Sequence, residues 1–525
     1  MRLVESRRIT GPHLLLDRPG AGAEIELDEG DRLDDVLDRA RAACATLGFP
    51  TDVVARRWPG GVSVAIEAPL DALETAAWVF DHAVEGSPDL PELLRRREAE
   101  ANPALVAFVD AVRRRGLPVF WDEDGVTVGL GARGQTFPLD RLPPPESVEG
   151  GGIPFCFVTG TNGKTTTTRL IARIAREAGF VVGHTSSDGV VVAGIARHRG
   201  DWTGPGAARQ VLRDTSVDFA VLETARGGLM RRGLAVTGAG AAIVTNVSDD
   251  HLGEWGICDL PSTAEMKLVV AKGVRAGGAL IVNQGCAPLA DVARARSPIW
   301  FGYDRGSERA AFFEGGWFHL GGAPLVAAAD VPITLGGAAR FNVENALGAA
   351  LVAQQMGIAT EHIVAGLTSF NPSPRDNAGR MNVFDHRGAR VIVDFAHNPD
   401  GVRQLGAVVR ALPGVRRLVV LGQAGDRRPR DVEALVDEIC AIGFDRIQLK
   451  ELPEHRRGKA IGEVPRMLRG MLEARGVSAD VILDPPADGE LAAIDAALQW
   501  AQPGDLVLLL VHEQFDDVVR RLDHS

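Results

Sequence analysis

The stretch I-P-F-C-F-V-T-G-T-N-G-K-T-T-T-T, residues 153–168, decides the fold. Its apolar half, Ile153 to Val158, predicts a buried strand, which Gly160-Thr161-Asn162-Gly163 interrupts. Lys164-Thr165 then opens a helix running through Arg169-Leu170-Ile171-Ala172-Arg173-Ile174. Strand, glycine turn and helix N-terminus together make a phosphate cradle, in which backbone N–H groups and the positive end of the helix dipole face an anion. Lys164 adds a point charge, and the Thr165 hydroxyl suits Mg²⁺. Gly160, Thr161, Asn162, Gly163, Lys164, Thr165 and Thr166 are the expected phosphate-binding residues. The general pattern has a small residue five before Gly163, where this chain carries Val158. An ordinary strand–turn–helix is the alternative reading. Two glycines, the lysine and the threonines at their required places favour a nucleoside triphosphate site.

Working outward, further strands are expected at 217–222, 241–246 and 278–282, alternating with helices as in a doubly wound parallel sheet. Ligands in such sheets gather beyond the carboxyl ends of the strands. V-D-F-A-V-L-E (217–223) ends on Glu223, and A-A-I-V-T-N-V-S-D-D-H (241–251) ends on Asp249, Asp250 and His251. Taken singly, Glu223 reads as a surface acid and His251 as a structural histidine. Their joint delivery to the edge that holds Lys164 and Thr165 points to a Mg²⁺ site, since Mg²⁺ takes hard oxygen ligands and few protein groups beside phosphates.

The run R-L-P-P-P-E-S-V-E-G-G-G (141–152), stiff then flexible, marks a linker. A second break falls in N-P-S-P-R-D-N-A-G-R (371–380), after which strands are expected at 390–394, 417–421, 445–449, 480–483 and 505–510. The expected domains are 1–145, a small α/β module; 146–374, the phosphate-loop domain; and 375–525, a Rossmann-like α/β domain. The first module shows an amphipathic helix (Leu33, Val36, Leu37, Ala40, Leu47), a strand at 61–67, helices at 70–84 and 103–115, and no catalytic cluster.

Composition narrows the class. No apolar run reaches the length of a membrane span, and M-R-L-V-E-S-R-R lacks a signal-peptide core. Five scattered cysteines without C-x-x-C spacing read as reduced thiols of a cytoplasmic protein. A net charge of −12 argues against nucleic acid as the partner. Only five of the 57 basic residues are lysines (Lys164, Lys267, Lys272, Lys450, Lys459), so a lysine at a motif position carries information.

T-G-T-N-G-K-T-T, L-E-T-A-R-G-G, N-V-S-D-D-H-L-G, R-F-N-V-E-N-A-L and D-F-A-H-N-P, in that order, resemble the Mur ligase superfamily, and their wording is similar to the Mur-ligase half of cyanophycin synthetases. R-R-I-T-G-P-H (7–13) and G-L-G-A-R-G-Q (129–135) resemble the N-terminal region of those enzymes, whose ATP-grasp domain has no counterpart here; the linker stands in its place. The resemblance implies an ADP-forming ligase. A carboxylate would take the γ-phosphate of ATP as an acyl phosphate, and an amino acid amine would displace phosphate to give an amide.

By the same resemblance Lys164 holds the β/γ-phosphates, and Thr165, Glu223 and His251 bind metal. Lys267, sixteen residues after His251, matches a lysine that many members carry as a carbamate, with a surface lysine as the alternative. Asn342 and Asn345 match adenine-side asparagines, although Phe341 stands where the motif has His. Arg380 matches a phosphate-contacting arginine and Asp394 a ribose-binding aspartate, with His397 beside it. The substrates implied are a small-molecule or peptide carboxylate and an amino acid amine. Two rival readings are a folylpolyglutamate-synthase-type ligase and a degenerate nucleotide-binding regulatory module. The N-terminal module is open to two roles, substrate binding or assembly, the latter as a homo-oligomer or with a partner enzyme.

Overall fold

The computed structural model describes residues 1–85, 89–250, 252–487 and 489–523. Its chain divides into two compact units: Met1–Phe312 with His319–Ala323 and Ala346–Gly366, and Phe313–Phe318 with Pro324–Asn345 and Leu367–Ser525.

The first unit begins with an antiparallel sheet in the order Arg2–Ile9, Gly20–Glu26, Gly61–Glu67, Val53–Trp58. Helices Leu33–Leu47 and Leu73–Glu85 cover one face, burying Val36, Ala40, Val79 and Phe80 against Ile25, Val62 and Val64. Each of the valines, Ile25 and Phe80 contributes about 1.5–3 kcal/mol by leaving water, and Ala40 less. The strand pair 2–9 and 20–26 was not anticipated, because its central residues Glu5, Ser6, Arg7, Arg8 and Glu24 hide the alternation that marks a strand. Pro103–Arg114 then packs on a three-stranded sheet of Val119–Asp122, Gly125–Val128 and Gln135–Phe137.

The larger sheet of this unit is parallel through Val182–Ser186, Phe219–Glu223, Phe155–Thr159, Ala239–Val244, Val274–Asn283 and Ile299–Phe301, in that spatial order. An antiparallel hairpin, Gly189–Val192 with Ile195–Arg199, extends one edge. Strands of this sheet are apolar without alternation because both faces are covered. Helix Lys164–Glu177 turns Leu170, Ile171, Ile174 and Ala175 into the core, and Thr165 to Thr168 are buried too.

The second unit holds a six-stranded sheet in the order Asn382–His386, Ala389–Asp394, Leu506–Leu510, Arg417–Leu421, Arg446–Leu449, Ile482–Leu483. Only the first strand runs antiparallel to its neighbour. All five strands expected beyond residue 380 are present, connected through helices Pro399–Ala411, Pro429–Ile442, Glu463–Ala474 and Gly489–Trp500. The α/β class and its parallel sheets are as the sequence predicts. Among the described residues no helix is long and apolar enough to cross a membrane.

Candidate active site

The phosphate-loop strand Phe155–Thr159 lies between the two strands that deliver acids. Val158 pairs with Glu223 on one side, and Thr159 with Val244 on the other. The carboxyl ends of all three strands therefore share one edge, where the order of strands reverses. Val158, out of pattern in the motif, is a central-strand residue paired on both sides, and the turn starts after it at Gly160.

Gly160 has φ +152°, and a Cβ there would collide with Thr245 Oγ1, so no other residue fits. Gly163, with φ +81°, starts the helix in the left-handed region. The loop is held by the segment after strand Ala239–Val244. Thr161 N–H donates to Asn246 O at 3.0 Å and Asn162 N–H to Asn246 Oδ1 at 2.9 Å. Asn162 O accepts from Thr245 Oγ1 at 2.6 Å and from Asn246 Nδ2 at 3.0 Å. Ser248 N–H donates to Thr161 Oγ1 at 3.1 Å. Thr245 and Asn246 were missed as site residues; their signal was a T-N pair directly after an apolar strand on the ligand edge.

Thr165 Oγ1 donates to Glu223 Oε2 at 2.9 Å and stands 3.1 Å from Ser187 Oγ. Glu223 is 2% exposed, which excludes the surface-acid reading. A hydroxyl and a buried carboxylate at the head of a phosphate-binding helix form an all-oxygen donor pair, the chemistry that fits Mg²⁺ once phosphate oxygens complete the shell. Among the described residues no three His, Cys, Asp or Glu side chains form a metal cage by themselves. Lys164 Nζ donates to Thr161 O at 2.9 Å, folded over the loop. His251 lies outside the described residues.

Lys267 is the last residue of helix Leu260–Lys267, whose start is fixed by a capping box between Asp259 and Ser262. Its side chain is 4% exposed, which rules out a surface lysine, and its Nζ donates to Gly160 O at 2.8 Å. Burial, and then the Lys164 charge, hold its pKa well below the ordinary 10.5.

The remaining predicted residues lie in the second unit. Asn345 Nδ2 donates to Asn342 Oδ1 at 3.1 Å, and Asn342 Nδ2 to Ile333 O at 3.1 Å and weakly to Met381 Sδ at 3.7 Å. Met381 N–H in turn donates to Asp394 Oδ2 at 2.7 Å, and Ala396 N–H to Asp394 Oδ1 at 2.7 Å. Burial raises the Asp394 pKa, against the pull of Arg380 and these N–H groups. The Arg380 guanidinium sits 4.7 Å over the Phe395 ring. His397 Nδ1 is 3.2 Å from Phe395 O. In the same motif Asn398 accepts from Gly401 N–H and Pro399 follows it, so N-P serves as a helix cap.

Behind this loop stands a cluster the sequence reading did not find. Lys450 Nζ donates to Glu490, to Leu510 O and, at 3.2 Å, to His512 Nδ1. Burial and that charge keep His512 neutral, its pKa well below the imidazole range, so Nε2 carries the proton toward Ala396 O at 3.3 Å.

The chain combines a phosphate-loop α/β domain with a second parallel-sheet domain. Residues 158–353 match the Mur ligase middle domain and 379–510 the Mur ligase glutamate ligase domain, and the chain belongs to the Mur ligase superfamily. A cyanophycin synthetase of Geminocystis herdmanii is 34% identical over 521 residues, 92% of this chain and 58% of that one. Another, from Crocosphaera subtropica, is 38% identical over 389 residues, 71% of this chain and 44% of the relative. The chain thus spans about half the length of these relatives. Escherichia coli FolC in complex with DHPP and ADP is 23% identical with a TM-score of 0.53, covering 71% of this chain and 89% of that one, a likeness of fold.

Proposed function

We propose that the chain is an ATP-dependent carboxylate–amine ligase of the cyanophycin-synthetase type. The observation that carries this reading is the Thr165–Glu223 pair, 2.9 Å apart at the head of the phosphate-binding helix. The loop N–H groups from Gly160 to Thr166 and Lys164 bind the phosphates. Thr165, Glu223 and His251 hold Mg²⁺, which supplies charge neutralisation on the phosphate oxygens. Lys267 joins that set as a carbamate, since burial favours its unprotonated amine and CO₂ addition to that amine, with loss of a proton, leaves an anion. Asn342, Asn345, Arg380, Asp394 and His397 are the residues for base, outer phosphate and ribose.

The substrate carboxylate oxygen attacks the γ-phosphorus, and the bond to the β–γ bridging oxygen breaks to release ADP. The amine nitrogen then attacks the acyl carbon, inorganic phosphate leaves, and the nitrogen loses a proton to give the amide. Positioning and fixed dipoles do most of this work. The acid is a small molecule or peptide, the amine an amino acid, and the chain completes one ligation alone or a cycle with a separate partner enzyme. A domain division at 145 and 374 accompanies this reading. The folylpolyglutamate alternative has fold likeness alone behind it.

The test is Mg-ATP-dependent phosphate release by purified protein, with mass spectrometry, against amino acids, aspartyl and glutamyl dipeptides and cell extract. Release that needs both an acid and an amine, with a product lighter than their sum by one water, supports the ligase. ATP binding without turnover on any pool would instead favour the regulatory module.

A further inference from the structure

The N-terminal module reaches the two segments that follow the acid-bearing strands. The first is helix Arg226–Arg232, three residues beyond Glu223. Arg7 Nε donates to Met230 O at 2.9 Å, and His13 Nε2 lies 3.0 Å from the same carbonyl. His13 Nδ1 accepts from Leu15 N–H, so Nε2 is the donor. Thr10 N–H donates to Arg232 O at 2.9 Å and Leu234 N–H to Pro12 O at 2.8 Å. A positive side chain on carbonyls that the helix cannot pair is the natural cap for its C-terminal end. Arg7 is itself buried, and its other arm is fixed by Glu24 at 2.7 Å.

The second segment is the turn at 253–257, just beyond Asp249 and Asp250. Arg56 donates to Gly256 O at 2.9 Å. Gly256 has φ +66°, and a Cβ there would run into the Trp58 indole, so ring and backbone are in direct apposition. Trp255 takes φ +52°, a costly value for an aromatic residue, and its Nε1 points to Glu5 Oε2 at 3.4 Å. The segments are also tied together, since Arg226 pairs with Glu254 and lies 5.2 Å over the Trp255 ring.

We propose that the N-terminal module is a positioning element for the metal side of the site, acting through Arg7 on the helix after Glu223 and through Arg56 and Trp58 on the turn after Asp250. This inference rests on the reading that Glu223 and its neighbours hold a metal–nucleotide complex. None of the three side chains is among the residues assigned to nucleotide or metal; each holds backbone that follows Glu223 or Asp250. R-R-I-T-G-P-H (7–13), which matched no site chemistry, has its role as the strand end and following turn that dock the helix.

The test measures binding of the non-hydrolysable ATP analogue AMP-PNP by calorimetry, with Mg²⁺ and with EDTA, beside hydrogen exchange of residues 226–257. Trp58→Ala and Arg7→Met are expected to weaken Mg-dependent binding about tenfold, as loss of outer support does at metal sites, while the EDTA affinity stays unchanged. Exchange at 253–257 should rise in Trp58→Ala, and Trp58→Phe should restore both readouts. Trp78→Ala, an exposed indole on the outer helix Leu73–Glu85, should change neither. Arg56→Ala keeps the test open should Arg7→Met fail to fold. Unchanged exchange and an unchanged Mg-dependent affinity in Trp58→Ala and Arg56→Ala would overturn the inference. A wild-type affinity identical with Mg²⁺ and EDTA would instead overturn the metal reading beneath it.

Discussion

The Nζ of Lys267 donates to the carbonyl of Gly160, the residue where the central strand gives way to the phosphate loop. A scarce lysine, at the end of one helix, thus touches the start of another element 107 positions earlier. Lys267→Ala is expected to cut ATP turnover by about a hundredfold or more, by loss of charge placement at the reacting phosphates. Lys267→Arg should not rescue it, because a guanidinium neither loses its charge nor takes up CO₂. Phosphate release in buffer stripped of CO₂ and then resupplied with bicarbonate reads the carbamate directly.

Glu223→Gln keeps shape and removes charge. Turnover should fall on the order of a hundredfold while metal-free ADP binding persists, as titration with and without Mg²⁺ would show. Equal loss of both would mean that Glu223 only props the loop.

His13 predicts a pH effect. Burial, then the Arg7 charge, push its pKa from 6.5 to about 4. The unfolded chain therefore binds the extra proton across that interval, and stability is fully present above 6.5 and lost as pH falls toward about 4. The loss is of order 3 kcal/mol for a shift of this size. Unfolding free energies of His13→Gln and wild type, measured across the interval, should diverge by about that amount in total between pH 6.5 and about 4.

Lys450 and Glu490 form a fully buried ion pair. Lys450→Met leaves the buried Glu490 carboxylate without its counter-ion and should cost about 3–5 kcal/mol. The double variant Lys450→Met, Glu490→Leu should recover part of it, less the loop contacts of Glu490. Urea unfolding of wild type, Lys450→Met, Glu490→Leu and the double variant closes the cycle.

Asn398→Ala should cost about 1 kcal/mol by removing a helix cap. Thermal unfolding should register that loss while nucleotide affinity changes little, which separates the cap from its neighbours Asp394 and His397.

Much of this was legible in the sequence. Apolar strands followed by Gly-Lys-Thr or by acids reveal themselves locally, so the phosphate loop, Glu223, four strands of the first parallel sheet and the five parallel strands of the second could be placed, whereas Val182–Ser186 and Ile299–Phe301 could not. Strands 2–9 and 20–26 of the N-terminal sheet could not, because Arg7 and Glu24 neutralise each other across strands and look like surface residues in one dimension. Thr245 and Asn246 support a loop more than eighty residues away, a relation visible only once strand order is known. Lys450 was counted for its rarity, yet its partners Glu490 and His512 are distant in sequence and joined only at the strand ends.

The carboxylate of Glu490 also accepts the backbone N–H groups of His512, Glu513 and Gln514 in succession. One side chain, 22 to 24 residues upstream, is thus the mould in which that turn is cast. A graft of the last strand and helix onto another scaffold would lose its shape at the junction unless helix Gly489–Trp500 travelled with it. For recombination, the natural unit is the helix, strand and turn together.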